Sequence, residues 1–242
     1  MRLSAPVHML KRRARILARE EHISLHAALD RIAAQQGFAA WSLLVAQAPT
    51  AAPVTKFFAQ LSAGDLVLLG ARPGHGKTLM SLKLAVEAMK AGRQSVFFSL
   101  EYAERDVLAR FRAIGVAPTD FDGLFGFDNS DDISADYIIA ALADAPRGTL
   151  VVVDYLQLLD QKRCQVRIAA LLDLAAQVRA LQAFARRQQL IFVFISQIDR
   201  NYDPSAKPCP DLDDVRLPNP VDLGLFSKTC FLNNGEVRFG AP

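Results

Sequence analysis

Residues Ala71-Arg72-Pro73-Gly74-His75-Gly76-Lys77-Thr78 dictate more of the fold than any other stretch of this 242-residue chain. They follow the apolar run Leu66–Leu69 and open a segment rich in Leu, Ala and Met. The order is therefore strand, glycine-bearing loop, helix, which is the context a phosphate-binding loop requires. In such a loop the glycines let backbone N–H groups close around phosphate oxygens. Lys77 is placed to reach the β- and γ-phosphates of a nucleotide and Thr78 to set its hydroxyl on Mg²⁺, while the helix N-terminus adds partial positive charge. The usual pattern begins with glycine, and here Ala71 stands first. ATP and Mg²⁺ are the expected ligands, with Ala71 through Thr78 and Asp154 around them.

The rest of the chain supplies a sheet for that loop. Val96–Phe98, Leu150–Val153 and Ile191–Ile195 are short, almost continuous apolar runs separated by helical stretches. Runs of this kind suit parallel strands buried on both faces, and the alternation predicts an α/β domain with a mostly parallel sheet. Val221 to Phe239 reads as two further strands around Asn233-Asn234-Gly235, a C-terminal hairpin. Two runs end in carboxylates. Asp154 closes Leu150-Val151-Val152-Val153, where a dry strand would hold it against Mg²⁺ through a coordinated water. Glu101 closes the second run and is placed to polarise an attacking water; its other reading is a helix N-terminal acid.

Upstream of the sheet the composition changes twice. Residues 1–47 carry three short helical patterns, with Ser24 suited to cap the second and Gly37 to end it. Residues 48–57, with two prolines and small side chains, read as a linker, leaving 58–242 as the α/β domain. The hydrophobic fraction, 51%, supports a large core, yet no apolar run approaches the ~20 residues of a membrane span. Cys164, Cys209 and Cys230 show no metal-ligand spacing, so a reducing cytoplasm is the expected location. The net charge of +3 permits a nucleic-acid partner without requiring one.

Four motifs, taken in order, resemble those of DnaB-type replicative helicase motor domains: Ala71–Thr78, Ser99-Leu100-Glu101, Asp154-Tyr155-Leu156-Gln157-Leu158 and Ser196-Gln197-Ile198-Asp199-Arg200. The similarity extends over about Phe58 to Phe239. It implies a RecA-like P-loop NTPase preceded by a small all-α module, with ATP hydrolysis driving translocation on single-stranded DNA. It also implies a homo-oligomer, a hexameric ring. By this resemblance Glu101 is the catalytic carboxylate, Lys77 and Thr78 bind phosphate and Mg²⁺, Asp154 is the Walker B acid, and Gln197 is the polar sensor of the γ-phosphate. As a residue alone, Gln197 also suits a turn at a strand end.

Three departures accompany the resemblance. The module at 1–47 stands where the family has a larger helical domain. The segment after Asp154 is short, so Lys162 and Arg163 are the candidate DNA contacts there, and Lys11, Arg12, Arg13, Arg15 and Arg19 form a second basic group. A solvated surface is the other reading of both groups. Finally, Lys228-Thr229-Cys230 occupies the place of a Lys-x-Arg motif whose arginine acts on the neighbouring subunit's ATP. A thiol carries no such charge, so Lys228 and Arg238 become the candidates across the subunit boundary. Restoring arginine at position 230 is then expected to raise a weak ATPase. A degraded site of this kind also fits a second function, a nucleotide-binding regulatory or adaptor protein.

Overall fold

The computed structural model describes residues 7–47, 51–99, 101–156, 159, 174–216 and 221–241. The four apolar runs form the middle of a single sheet: β1 (Leu66–Ala71), β2 (Ser95–Ser99), β4 (Leu150–Asp154) and β5 (Ile191–Gln197). β3 (Phe125–Asp128) is added at one edge, and β6 (Lys228–Asn233) and β7 (Glu236–Gly240) at the other. The order is β3-β2-β4-β5-β1-β6-β7, and every pair is parallel except β6 with β7. This is the mostly parallel α/β sheet with a C-terminal hairpin that the apolar runs predict. Asn234 and Gly235 turn the hairpin with φ of 50° and 90°, the left-handed pair that a tight two-residue turn demands.

Side chains of the central strands alternate between two apolar layers. Leu66, Leu68, Val151, Val153, Phe192 and Phe194 face α7 (Ala135–Ala141) and α8 (Leu174–Gln188). Val67, Leu69, Leu150, Val152, Val193 and Ile195 face the layer of α5 (Lys77–Lys90) and α6 (Glu104–Ala113). Helices on both faces explain why these strands read as unbroken apolar runs. β1 and β6 approach so closely that a Cβ on Gly70 would lie 2.7 Å from the Phe231 ring. That position admits only glycine without a shift of the ring.

The expected linker at 48–57 is corrected in part: α4 spans Ala51–Phe58. Pro53 lies in its first turn, where a missing N–H costs no helical hydrogen bond. Val54 and Phe57 are buried in the α5 layer, and the Phe57 ring stacks on Phe239 at 4.4 Å. Burying two such side chains contributes about 1.5–3 kcal/mol each, which overrides a composition that looks like a tether.

The three N-terminal helical patterns are α1 (Val7–Glu20), α2 (Leu25–Gln35) and α3 (Trp41–Gln47). They enclose their own apolar cluster, which includes Leu10, Ala14, Ala28, Ile32 and Leu44. Ser24 Oγ accepts the Ala27 N–H at 3.1 Å and starts α2, as its sequence position foretells. Gly37, at φ 82°, lets the Phe38 N–H turn back to Ala33 O at 3.0 Å. Asp30 on α2 accepts the Trp41 N–H at 2.8 Å and so fixes where α3 begins.

Candidate functional site

Strand register gathers the functional candidates at one end of the sheet. Ala71 is paired with Gln197, Ser99 with Asp154, and Asp154 with Ile195, so the C-terminal ends of β1, β2, β4 and β5 lie side by side. In an open parallel sheet, that end is where ligands bind. Gly74 and Gly76 adopt φ of 75° and 89°, and open space surrounds the positions a Cβ would occupy. The loop therefore curls with its backbone accessible before α5 begins at Lys77. Among its side chains, His75 is half-buried, and its Nδ1 accepts the Asn234 N–H at 3.2 Å from the tip of the β6–β7 hairpin. Burial, followed by the charges of Lys11, Arg72, Arg15 and Lys77, drives the His75 imidazole down to about 3. It is neutral near pH 7.

Thr78, in the first turn of α5, meets Asp154 at the end of β4. The Thr78 hydroxyl donates to Asp154 Oδ2 at 3.4 Å. Asp154 is wholly buried, and among the described residues its other oxygen, Oδ1, has no hydrogen-bond partner. A buried carboxylate oxygen without a partner costs desolvation free energy. Burial, and after it the Glu101 charge, raises this carboxyl to about 7, against the pull of Lys77 and the Thr78 hydroxyl. A divalent cation beside Thr78 would answer both the orphaned oxygen and the raised proton affinity, so the donor set fits Mg²⁺. Glu101 is exposed at the mouth of the same site; its N–H donates to Ser99 Oγ at 3.2 Å. Its charge acts on the Asp154 carboxyl, and it precedes α6 by three residues.

Two residues in this site carry no motif that would single them out. Tyr102 lines the same hollow as Thr78, and Arg110 lays its guanidinium over the Tyr102 ring at 4.1 Å from the centroid. Arg110 also donates to Asp106 O at 2.9 Å. It lines a hollow with Gly76, Lys77, Thr78 and Tyr102. In the sequence it is one arginine among several on α6, alongside Arg105 and Arg112. Only the fold shows that it faces the loop.

The remaining candidates lie elsewhere. Lys162, Arg163, Gln157 and Leu158 fall outside the described residues. Lys228 sits at the opposite end of β1, with its Nζ 3.7 Å from Asp65 Oδ2. Arg238 lies on the edge strand β7 and is exposed. Cys230 requires a correction. Its side chain is fully buried in the α5 layer between Leu69 and Phe239, its strand partners on either side. Burial pushes its thiol far above the ordinary range. An arginine there would enter the core rather than reach a neighbouring subunit, so no gain in ATPase rate is expected from arginine at 230.

Residues 52–116 match the model of the DnaB-like helicase C terminal domain. A probable plasmid replicative DNA helicase of Chlamydia trachomatis is 24% identical over 218 residues, covering 75% of this chain and 48% of its own length. The replicative DNA helicase DnaB of Leifsonia xyli subsp. xyli is 26% identical over 194 residues, with coverage of 67% and 41%. The chain thus spans about half the length of the curated relatives it matches. A solved ATPase domain superposes with a TM-score of 0.54 at 18% identity, covering 70% of this chain and 69% of that one. A DnaB-like replicative helicase, solved in a study of its interactions with primase, gives 0.57 at 18% identity, covering 70% and 47%. These two likenesses establish the fold alone, an α/β fold built on a mostly parallel sheet. Among the described residues, no helix is long and apolar enough to cross a membrane.

Proposed function

We propose that this chain, which carries a domain of the DnaB-type helicase C-terminal kind, binds ATP with Mg²⁺ and hydrolyses it to move along single-stranded DNA as part of a homo-oligomer. The observation that carries the reading is the convergence of Lys77, Thr78, Asp154 and Glu101 at one end of the sheet, with Thr78 and Asp154 in contact. Lys77 would hold the β- and γ-phosphates, and backbone N–H groups of Gly74 through Thr78 would surround them. Thr78 and Asp154 would hold Mg²⁺, which when bound neutralises charge on the transferring phosphoryl group. Glu101, open to solvent, would orient the attacking water and accept its proton. Gln197, at the end of β5 beside the start of the loop, would sense the γ-phosphate. Its own carbonyl accepts the Arg216 N–H at 2.8 Å, so its movement would pass into the segment that follows β5. The cytoplasm is the expected setting.

Arg238 remains the candidate for a contribution across a subunit boundary, because it is exposed on an edge strand while Lys228 is engaged with Asp65. Lys162 and Arg163 are proposed as phosphate contacts on DNA. The sealed position of Cys230 favours a second reading: a nucleotide-responsive adaptor that binds ATP and turns it over poorly.

The deciding experiment measures ATP affinity, ATPase rate with and without single-stranded DNA, and assembly mass for the parent chain and Lys77→Ala. The motor reading expects DNA-stimulated turnover in a multi-subunit assembly, and loss of nucleotide binding in Lys77→Ala. Tight ATP binding with no DNA-stimulated turnover selects the adaptor. Undiminished affinity in Lys77→Ala removes both.

A further inference from the structure

The N-terminal module does not stand apart from the loop. Lys11 on α1 donates from Nζ to the carbonyl of Gly74 at 3.2 Å. α3 packs against α6, and Trp41, Ser42 and Val45 form one wall of the hollow whose other wall contains Lys77, Thr78 and Arg110. Val45 also reaches the second hollow of the loop, beside His75, Leu79 and Val237 of the hairpin. The module therefore straddles the loop that would cradle a nucleotide.

The charges around this contact are of one sign. Lys11, Arg15, Arg72 and Lys77 all act on His75. Among the described residues, no carboxylate forms an ion pair with Lys11, Arg15 or Arg72. Burial, then Arg15, then Arg72, brings the Lys11 ammonium down to about 8. A half-buried lysine crowded by cations is electrostatically unsatisfied, and a polyanion at the same place relieves it.

We propose that the N-terminal module is a working part of the nucleotide site, in which Lys11 supplies a second lysine to the polyphosphate, so that module docking and triphosphate binding strengthen each other. The proposal rests on the nucleotide reading above and adds what that reading lacks: a cation and a wall contributed from outside the α/β domain. Coupling of this kind is reciprocal, since whatever the docked module adds to nucleotide affinity, the nucleotide adds to docking. It also divides the basic residues of α1 by role. Lys11 is half-buried against the loop, whereas Arg12 and Arg13 are exposed.

The test uses the full chain with a fluorescent ATP analogue and hydrogen exchange over residues 7–47. Lys11→Met keeps the apolar stem and removes the charge; Lys11→Arg keeps the charge. Lys77→Ala is measured in parallel. The expected result is triphosphate affinity weakened at least ~10-fold by Lys11→Met, equivalent to about 1.4 kcal/mol, with substantial recovery in Lys11→Arg. The analogue should slow exchange in α1 of the parent chain but not in Lys11→Met. Exchange over residues 66–99 without nucleotide serves as the folding control and should match the parent in both variants. Unchanged or tighter binding by Lys11→Met overturns the proposal, tighter binding identifying the module as an obstructing cap. Faster α1 exchange with nucleotide overturns it as well. If Lys77→Ala alone loses affinity, the nucleotide reading stands and the module is a bystander. Full affinity in Lys77→Ala removes the nucleotide reading and this proposal with it.

Discussion

The glycine-bearing loop at 71–78 and the C-terminal hairpin touch each other, yet they differ in how directly residue identity fixes what a side chain can do. In the loop, glycines at left-handed φ and the onset of α5 are consequences of a few consecutive residues, so the positions of Lys77 and Thr78 follow locally. On β6, the face a residue presents depends on parity along the strand and on what packs against it. Lys228, Cys230 and Leu232 share one face, but Lys228 is beyond the core at the strand's start while Cys230 and Leu232 are within it. A motif carried by a strand is therefore legible only once its register and its covering layer are known.

The largest effect expected under this contrast is that of Cys230→Arg. A charge introduced into the α5 layer without a partner should destabilise the fold by about 3–5 kcal/mol, with no gain in ATPase rate. Urea denaturation of the variant measures this directly, and normal stability accompanied by faster turnover would break the contrast. Smaller, about 2.7 kcal/mol of barrier, is the effect of Glu101→Gln. It keeps the shape of the side chain and removes the base, so turnover should fall at least ~100-fold while ATP affinity holds. Single-turnover kinetics with a binding isotherm distinguish that outcome from a helix-end role, in which neither value moves.

The smallest effect belongs to the contact between the two regions. His75 accepts the Asn234 N–H only when neutral, and its folded pKa, about 3, lies below the ordinary 6.5. The unfolded chain takes up the proton first, so stability falls as pH drops from 6.5 toward 3. His75→Asn cannot titrate. The difference in urea midpoint between parent and variant should therefore change in the variant's favour between pH 7 and pH 5. A difference that does not move with pH means that burial and the surrounding cations do not hold the imidazole neutral in the folded chain.

What could be read without the structure follows the same division. β1, β2, β4 and β5 were legible because burial on both faces makes them continuous apolar runs, and Asp154 and Glu101 because those runs end in acids. β3 was not, being four half-buried residues at an edge, with Gly126 and Asp128 among them. α4 was hidden by Pro53, whose place in a first turn is harmless. The roles open to Lys11, Tyr102 and Arg110 depend on how whole helices lie against the loop, and no local pattern encodes a docking angle. Lys11 in particular looked like one of five interchangeable cations on a basic helix.

The position of β1 in the sheet also sets an order of events as the chain is made. Both of its neighbours, β5 and β6, come from the second half of the chain, and β6 begins at Lys228, about 160 residues after β1 ends. At ~5–20 residues per second, the ribosome needs roughly 8 to 30 s to deliver that strand. Through that interval the strand that leads into the 71–78 loop has at least one unpaired edge, the condition under which nascent chains pair wrongly or recruit chaperones. The loop is written early and braced late, so a chain released before Lys228 would possess every residue of the loop and lack one of the two strands that hold β1 in place.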